Sequence, residues 1–423
     1  MSGWKMMRTA AAVAAAVMTL ALALDATAQP GPQNRRPAGG EQRPDAGATP
    51  GGQGGMGQGA MGQGGQPQGG MGPRGEGGPP RNDVPRWIDT HVHLVSGATN
   101  TTGDWVGAVR VAIADMDKNN IGTVIVMPTP QPPGGPTYDS ADFADAVRNH
   151  PGRIAFLGGG GTLNPMIHLS PDAETVDAAT KQKFAAIANG IIDAGALGFG
   201  EMSANHLSVA DAHSYHRSRP DHPLFLLLVE IAAKRNVPID FHMDVVHEPM
   251  PTPQKMRDMS QRNPATLEPN LAQFEKLLAH ERGARIVWAH AGIDHTGILS
   301  VELIRRMMTA HPNLYMSIKA LPQSPEPNAA LAREGRLRPD WRKLIVEFPD
   351  RFVMGTDRFY GSSATGMAPG GRSIGQKASA GTIFMERTVP MTQAAQTLLS
   401  QLPPQLAQKV AVDNVRAIYR LPN

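Results

Sequence analysis

Two histidines separated by a single residue, in Trp87-Ile88-Asp89-Thr90-His91-Val92-His93-Leu94, are the first residues in this chain whose types and spacing allow chemistry. Side chains alternate faces along a β-strand, so His91 and His93 share a face about 6–7 Å apart. Two imidazoles so placed reach one divalent ion at about 2.0–2.1 Å. The β-branched Ile88 and Val92 suit a strand, and Asp89 falls on the histidine face. Taken alone, the pair is equally compatible with two hydrogen-bonded histidines at a strand end. The chain has no cysteine, so any metal site must be built from His, Asp and Glu.

Further residues of ligand type end later apolar runs: Glu201 after Gly-Phe-Gly, His242 in Asp-Phe-His, His290 in Trp-Ala-His and Asp357 in Met-Gly-Thr-Asp. Each alone has a plain structural reading as a helix cap or a buried, hydrogen-bonded side chain. Together they require one scaffold that brings strand ends to a common point.

The runs that must position them are short and rich in β-formers: 84–90, 121–127, 153–158, 196–200, 237–242, 284–290, 313–318 and 351–356. Between them lie stretches of helical periodicity at 105–118, 141–149, 172–194, 223–235, 267–282, 297–310 and 341–348. Ser140 and Ser170-Pro171-Asp172 supply helix starts, and Pro151, Pro312 and Pro349 supply stops. Eight strands alternating with helices predict an α/β fold, a (β/α)8 TIM-type barrel, followed by closing helices over 391–400, 404–412 and 414–420. A doubly wound open sheet is the rival architecture. Gly158-Gly159-Gly160-Gly161 lacks the residues of a dinucleotide or phosphate loop and reads as a strand-to-loop turn. In a barrel the C-terminal strand ends carry function, which is where the six ligand-type residues fall.

Ahead of the barrel the composition changes. Residues 1–28 have a basic start (Lys5, Arg8), an Ala/Val/Leu run and an Ala26-Thr27-Ala28 site, the pattern of a signal peptide. A retained anchor is the alternative, although the run is short beside the about 20 apolar residues of a span. Residues 29–82 are Gly, Pro and Gln with scattered Met. They have almost nothing to bury against an ordering cost of about 1–2 kcal/mol per residue, and read as a disordered tether. The expected organisation is therefore a signal peptide at 1–28, a tether at 29–82 and the barrel at 83–423. The expected location is periplasmic or secreted, with no stable membrane span once the signal is removed. A net charge of +3 with no dense Lys/Arg run gives no reason to expect a nucleic acid partner.

The segments Ile88 to His93, Gly198-Phe199-Gly200-Glu201, His242, Ala289-His290-Ala291-Gly292, Gly355-Thr356-Asp357 and Asn414-Val415-Arg416-Ala417-Ile418-Tyr419 resemble the amidohydrolase superfamily, in its branch of amidohydrolase-related metal-dependent hydrolases. The resemblance runs from about Val84 to the C-terminus. It implies that His91, His93 and Asp357 ligate one divalent ion, His242 and His290 a second, and that Glu201 bridges, as in the more distant TatD-type nucleases. The ion expected is Zn2+, one or two per chain, with Asp357 as the catalytic proton-transfer group. The reaction implied is metal-assisted hydrolysis of an amide, lactone or ester bond in a small-molecule substrate. A single ion would turn the reading toward decarboxylation or deamination; phosphodiester hydrolysis and a non-catalytic envelope-binding role complete the alternatives.

Around this set, Asp89 and Asp240 are candidates to accept an imidazole N–H from a ligand histidine, with barrel lining as the plain reading. Lys319 and Arg358 are candidates to bind an anionic substrate group, with solvated surface charge as the plain reading. His206, His213, His216 and His222 cluster after the fourth strand, where a third metal site is the alternative; with His247 and His295 they show no regular ligand spacing and are expected to be solvated. The loops 247–264 and 358–376 are long enough to cover a pocket, and Gly370-Gly371 is a candidate hinge. Oligomeric state has no signature in the chain. The export reading makes one prediction: N-terminal sequencing of protein recovered from outside the cytoplasm will begin at Gln29, and full-length protein held in the membrane would refute it.

Overall fold

The computed structural model describes residues 84–95, 104–134, 138–211, 213–321, 326–361 and 391–421. The signal, the tether and Gly370-Gly371 lie outside these residues. Eight parallel strands form the core. They are Trp87–Val95, Ile121–Met127, Ile154–Phe156 with its continuation Gly158–Gly159, Phe199–His206, Pro238–Met243, Arg285–Ala291, Leu314–Ile318, and Phe352–Met354 with its continuation Arg358–Gly361. The first strand pairs with the second, which pairs with the third. The third pairs through Gly158–Gly159 with the fourth, and the order then runs fourth, fifth, sixth, seventh, eighth. Arg358–Gly361 pairs back onto the first strand, Val92 opposite Arg358, and closes the barrel. The closed parallel barrel, not the open sheet, is the architecture.

Helices sit outside, each turning an apolar stripe inward. In Val301–Ala310 the buried residues are Val301, Ile304, Met307 and Met308, one helical face. Its N-cap is Ser300, which accepts from Leu303 N, so the helix starts four residues later than the sequence reading at 297. Trp105–Lys118 and Pro223–Arg235 match the sequence reading to the residue. Between the third and fourth strands the reading is corrected. Ser170-Pro171-Asp172 does not open a long helix. A short helix, Leu163–His168, comes first, and the main one, Ala178–Asp193, starts from Asp177, whose carboxylate accepts from Thr180 N.

Gly161 and Gly355 are among the glycines that space demands. A Cβ on Gly161 would sit 1.8 Å from the carbonyl oxygen of Tyr138, so only glycine lets this turn pack under the loop after the second strand. Asp139 binds the same turn, accepting from Gly159 N at 2.8 Å and Gly161 N at 3.1 Å. The glycine run is thus a strand-to-loop turn, as its sequence indicates. A Cβ on Gly355 would meet Ser317 Oγ at 2.3 Å and His91 Cβ at 2.8 Å, which seats the eighth strand tightly against the first.

The Asn414–Tyr419 helix closes the far end. Asn414 Nδ2 donates to Phe352 O at 2.8 Å and Pro349 O at 2.9 Å, and Arg285 Nε donates to Ile418 O at 2.9 Å. The loop after the fifth strand is not irregular. It holds the helix Gln254–Met259 and a hairpin pairing Met250–Pro251 with Thr266–Leu267, over a small core of Leu207, Val246, Met256 and Leu267. No helix among the described residues is long and apolar enough to cross a membrane.

His222 caps the helix Pro223–Arg235. Its Nδ1 accepts from Leu224 N at 3.1 Å while Nε2 donates to Ser170 O at 3.1 Å, a pattern only the neutral imidazole satisfies. Burial accordingly lowers its pKa to about 4. Between pH 6.5 and 4 the unfolded chain binds the proton and the folded chain does not, so this residue's contribution to stability is present above 6.5 and is lost on acidification toward 4. Replacing His222 by Asn, which caps without titrating, should flatten that limb of the Tm-against-pH curve; an unchanged slope would refute the assignment.

Candidate active site

His91 and His93 lie inside the first strand, not just beyond it, and both are buried. His93 Nδ1 faces the carbonyl of Met127 at 3.0 Å; a carbonyl can only accept, so Nδ1 carries the proton and Nε2 keeps its lone pair. His91 Nδ1 lies 3.2 Å from Asp240 Oδ1, an ion-pair distance whose angle falls short of an aligned hydrogen bond. That contact likewise turns His91 Nε2 toward the barrel mouth. The two Nε2 atoms approach to 3.3 Å.

Glu201, on the fourth strand and buried, faces both sides of the mouth. Its Oε2 lies 3.6 Å from His91 Nε2 and 3.5 Å from His93 Nε2. Its Oε1 lies 2.9 Å from His242 Nδ1 and 3.2 Å from His290 Nε2. Asp357 follows Phe352–Met354; its backbone N donates to His91 O at 2.8 Å, and its Oδ1 reaches His93 Nε2 at 3.2 Å. The structure therefore brings together all six ligand-type residues of the sequence reading.

His290 and Asp357 adopt φ of +64° and +56°. Left-handed backbone is uncommon for residues with a Cβ, and such strain concentrates at functional sites. Here it turns two side chains at strand ends back over the mouth.

The electrostatics follow from packing four acidic groups among imidazoles. Burial alone would raise Glu201, but His91, His242 and His290 hold it well below the usual carboxylate range. Burial likewise opposes ionisation of Asp357, and Lys319 and His290 bring it well below that range. Burial would lower His242, yet Asp244 and Glu201 raise it to about 9. His290 is pushed down to about 3, chiefly by burial. Asp240 is raised by burial in spite of His91. Imidazoles and ionised carboxylates therefore share one desolvated space. The donor set suits a divalent ion: hard carboxylate oxygens with borderline imidazole nitrogens. Mutually close donor sets are His91/His93/Glu201, His91/His290/Asp357 and Glu201/His206/His242.

Several expectations are corrected. Asp89 accepts no imidazole N–H. It accepts from the backbone N of Thr356 at 2.9 Å, from the Thr356 hydroxyl and from the backbone N of His91, so it fastens the eighth strand to the first. Arg358 does not face the mouth. Its guanidinium is buried against Asp115, Thr392 and the Tyr360 ring, because the residue after Asp357 re-enters a strand whose side chain turns outward. Lys319 does face the site, with Nζ on Asp357 Oδ2.

The histidines expected to be solvated are mostly not. His216 is 3% exposed, His206 is half-buried, and His295 pairs with Asp244 at 3.1 Å; His247 is exposed. His206 stacks on His242 with ring centroids 3.8 Å apart and planes inclined by 26°. His206 thus walls one side of the His242 ring, and its donor atoms lie close to those of Glu201 and His242. Sequence reasoning missed it because the fourth strand was read as ending at Gly200, whereas it runs to His206. Asp244 was missed too, though His242-x-Asp244 repeats the spacing of His91-x-His93.

The model of the amidohydrolase family matches residues 88–421. No curated protein matches the chain. Among solved structures, the chain is similar to a probable 2-pyrone-4,6-dicarboxylic acid hydrolase from Acinetobacter baumannii with citric acid bound, at 12% identity and a TM-score of 0.44, over 79% of this chain and 100% of that one. It is similar to a dihydroxybenzoic acid decarboxylase from a Polaromonas species, with bound manganese and an inhibitor, at 13% identity and a TM-score of 0.40, over 79% and 97%. A 2,6-dihydroxybenzoate decarboxylase from Rhizobium is matched at 11% identity and a TM-score of 0.40, over 79% and 98%.

The two-sided placement of Glu201 predicts that Glu201→Gln, whose amide is a poor bridge, weakens one ion at least 10–100-fold. The measurement is stoichiometry by metal analysis across a Zn2+ or Mn2+ titration. Two ions in the wild type and one in the variant are expected; one ion in both would refute the bridge.

Proposed function

The chain belongs to the amidohydrolase family, and from that premise we propose that it is an exported, metal-dependent hydrolase acting on an amide, lactone or ester bond of a small molecule. The observation that carries this reading is the split of Glu201, with Oε2 toward His91 and His93 and Oε1 toward His242 and His290. His91, His93 and Asp357 would hold one ion, His242 and His290 a second, with Glu201 between them. Zn2+ is the first candidate. Such ions supply Lewis acidity at the scissile group and acidify a water toward a pKa of about 7.

The chain's own residues do the rest. Asp357 is the proton carrier: its ionised carboxylate takes the proton of the attacking water and returns it to the leaving group. Lys319 holds Asp357 Oδ2 and keeps that carboxylate charged at rest. The Lys319 ammonium, beside Asp357 at the mouth, would also stabilise an oxygen on which negative charge develops. Asp240 behind His91 and Met127 O behind His93 keep both Nε2 lone pairs pointing at the reaction. The signal pattern in residues 1–28 supports delivery to the periplasm or beyond.

The second reading is a single-ion enzyme, in which His242 Nδ1 would keep its 2.9 Å hydrogen bond to Glu201 Oε1 in place of coordination. That enzyme would hold its ion at His91, His93 and Asp357 and would catalyse decarboxylation.

Metal analysis of the purified protein, followed by assays on lactones, amides, esters, phosphodiesters and aromatic carboxylic acids, separates the two. Water-dependent cleavage with two ions is expected; CO2 release with one ion would overturn the hydrolase. In the same assays Asp357→Asn should lower kcat by about 10²–10⁴, the usual contribution of a general acid–base group, at saturating metal. A variant at wild-type rate would remove Asp357 from the proton path.

A further inference from the structure

Asp244 lies just past the fifth strand, two residues after His242, and is 10% exposed at its side chain. Three segments meet on its carboxylate. Oδ2 accepts from Leu207 N at 2.7 Å, fixing the exit of the fourth strand directly after His206. Oδ1 lies 3.1 Å from His295 Nδ1, on the loop that follows the sixth strand five residues beyond His290. Oδ2 also faces His242 Nε2 at 3.7 Å.

The backbone of Asp244 is held as firmly. Its N donates to Asn205 O at 2.9 Å, and its carbonyl accepts from Asn270 Nδ2 at 2.8 Å. On its other side Asn270 accepts from Val246 N at 2.9 Å through Oδ1. Asp244 is thus held through both its backbone and its carboxylate.

An imidazole is oriented by whatever its second nitrogen faces. His242 has Nδ1 toward Glu201 and Nε2 toward Asp244, and the His206 ring, stacked at 3.8 Å, blocks rotation out of the plane. We propose that Asp244 is a positioning residue for the Glu201 centre: together with His295 it fixes His242 with Nδ1, the nitrogen nearer the backbone, aimed at Glu201 Oε1. It touches neither the reacting atoms nor Glu201. It acts through one ring, and it ties the fourth, fifth and sixth strand exits to that ring's orientation. The proposal rests on the reading of His242 as a metal ligand.

The test uses the purified full-length protein, stripped and reloaded with Zn2+ or Mn2+, and compares wild type with Asp244→Asn and Asp244→Glu. Asn keeps the size and the acceptor for Leu207 N but loses the charge facing His242 and His295. The expected result is a 10–100-fold weaker affinity for one ion in Asp244→Asn, with the other ion held as in wild type. kcat should fall at subsaturating metal and recover at high metal, while KM stays unchanged. Asp244→Glu should recover part of the affinity. A merely structural role would instead lower the Tm of the metal-free protein and weaken both ions alike, which would overturn the proposal. Equal affinities in wild type and Asp244→Asn would overturn it as well, while leaving the metal site standing. Wild type that takes up neither ion would overturn the site reading and the proposal together.

Discussion

Glu201 is a carboxylate 2% exposed to solvent whose two oxygens look in opposite directions, and the arrangement of the molecule follows from what that costs. A buried carboxylate is tolerable only when it is surrounded by hydrogen bonds or positive charge. The barrel supplies both by delivering imidazoles from the first, fifth and sixth strands to one point. No single segment could do this, since His91 and His290 are separated by most of the folded chain. The tertiary structure is what makes the charge admissible, and the charge is what makes the pocket chemically useful.

Much of this was legible in the sequence because it is written in local periodicities. Each strand is a short apolar run ending in a polar residue, and each helix an apolar stripe, so both element types and their order could be read directly. The six ligand-type residues were found because the fold rule converts "end of a strand" into "same place". What could not be read was direction. Arg358 and Asp357 are adjacent, yet one turns out to Asp115 and the other in to His93, and only the backbone angle at Asp357 decides this. Asp89 has the right face for an imidazole but is claimed by Thr356, a partner 267 residues away.

Strand length was the other hidden quantity. Gly200 looked like an end, because polar residues follow it. The strand continues because Met202 and Ala204 are buried in the core while the backbone is held on both sides, Ser203 N donating to Asn164 Oδ1 and Asn205 O accepting from Asp244 N. Those extra residues lift His206 to the level of His242. Composition cannot show that, as His206 and His247 look equally solvated in the sequence, and one is a packing surface while the other is exposed.

The braces at the far end of the barrel bear on how the chain comes to be folded at all. Thr90 Oγ1 donates to Met354 O across 264 residues at 2.9 Å, and Asn414 then ties down the start of the same eighth strand. During vectorial synthesis the first strand emerges with its histidines long before either partner exists. Hoop closure is therefore deferred until residues 352–361 and 414–419 have left the ribosome, and contacts of such separation form slowly. Until then His91 and His93 lack their partner Asp357, whose backbone N meets His91 O and whose carboxylate meets His93 only across that closing seam, so the centre is among the last things the fold assembles.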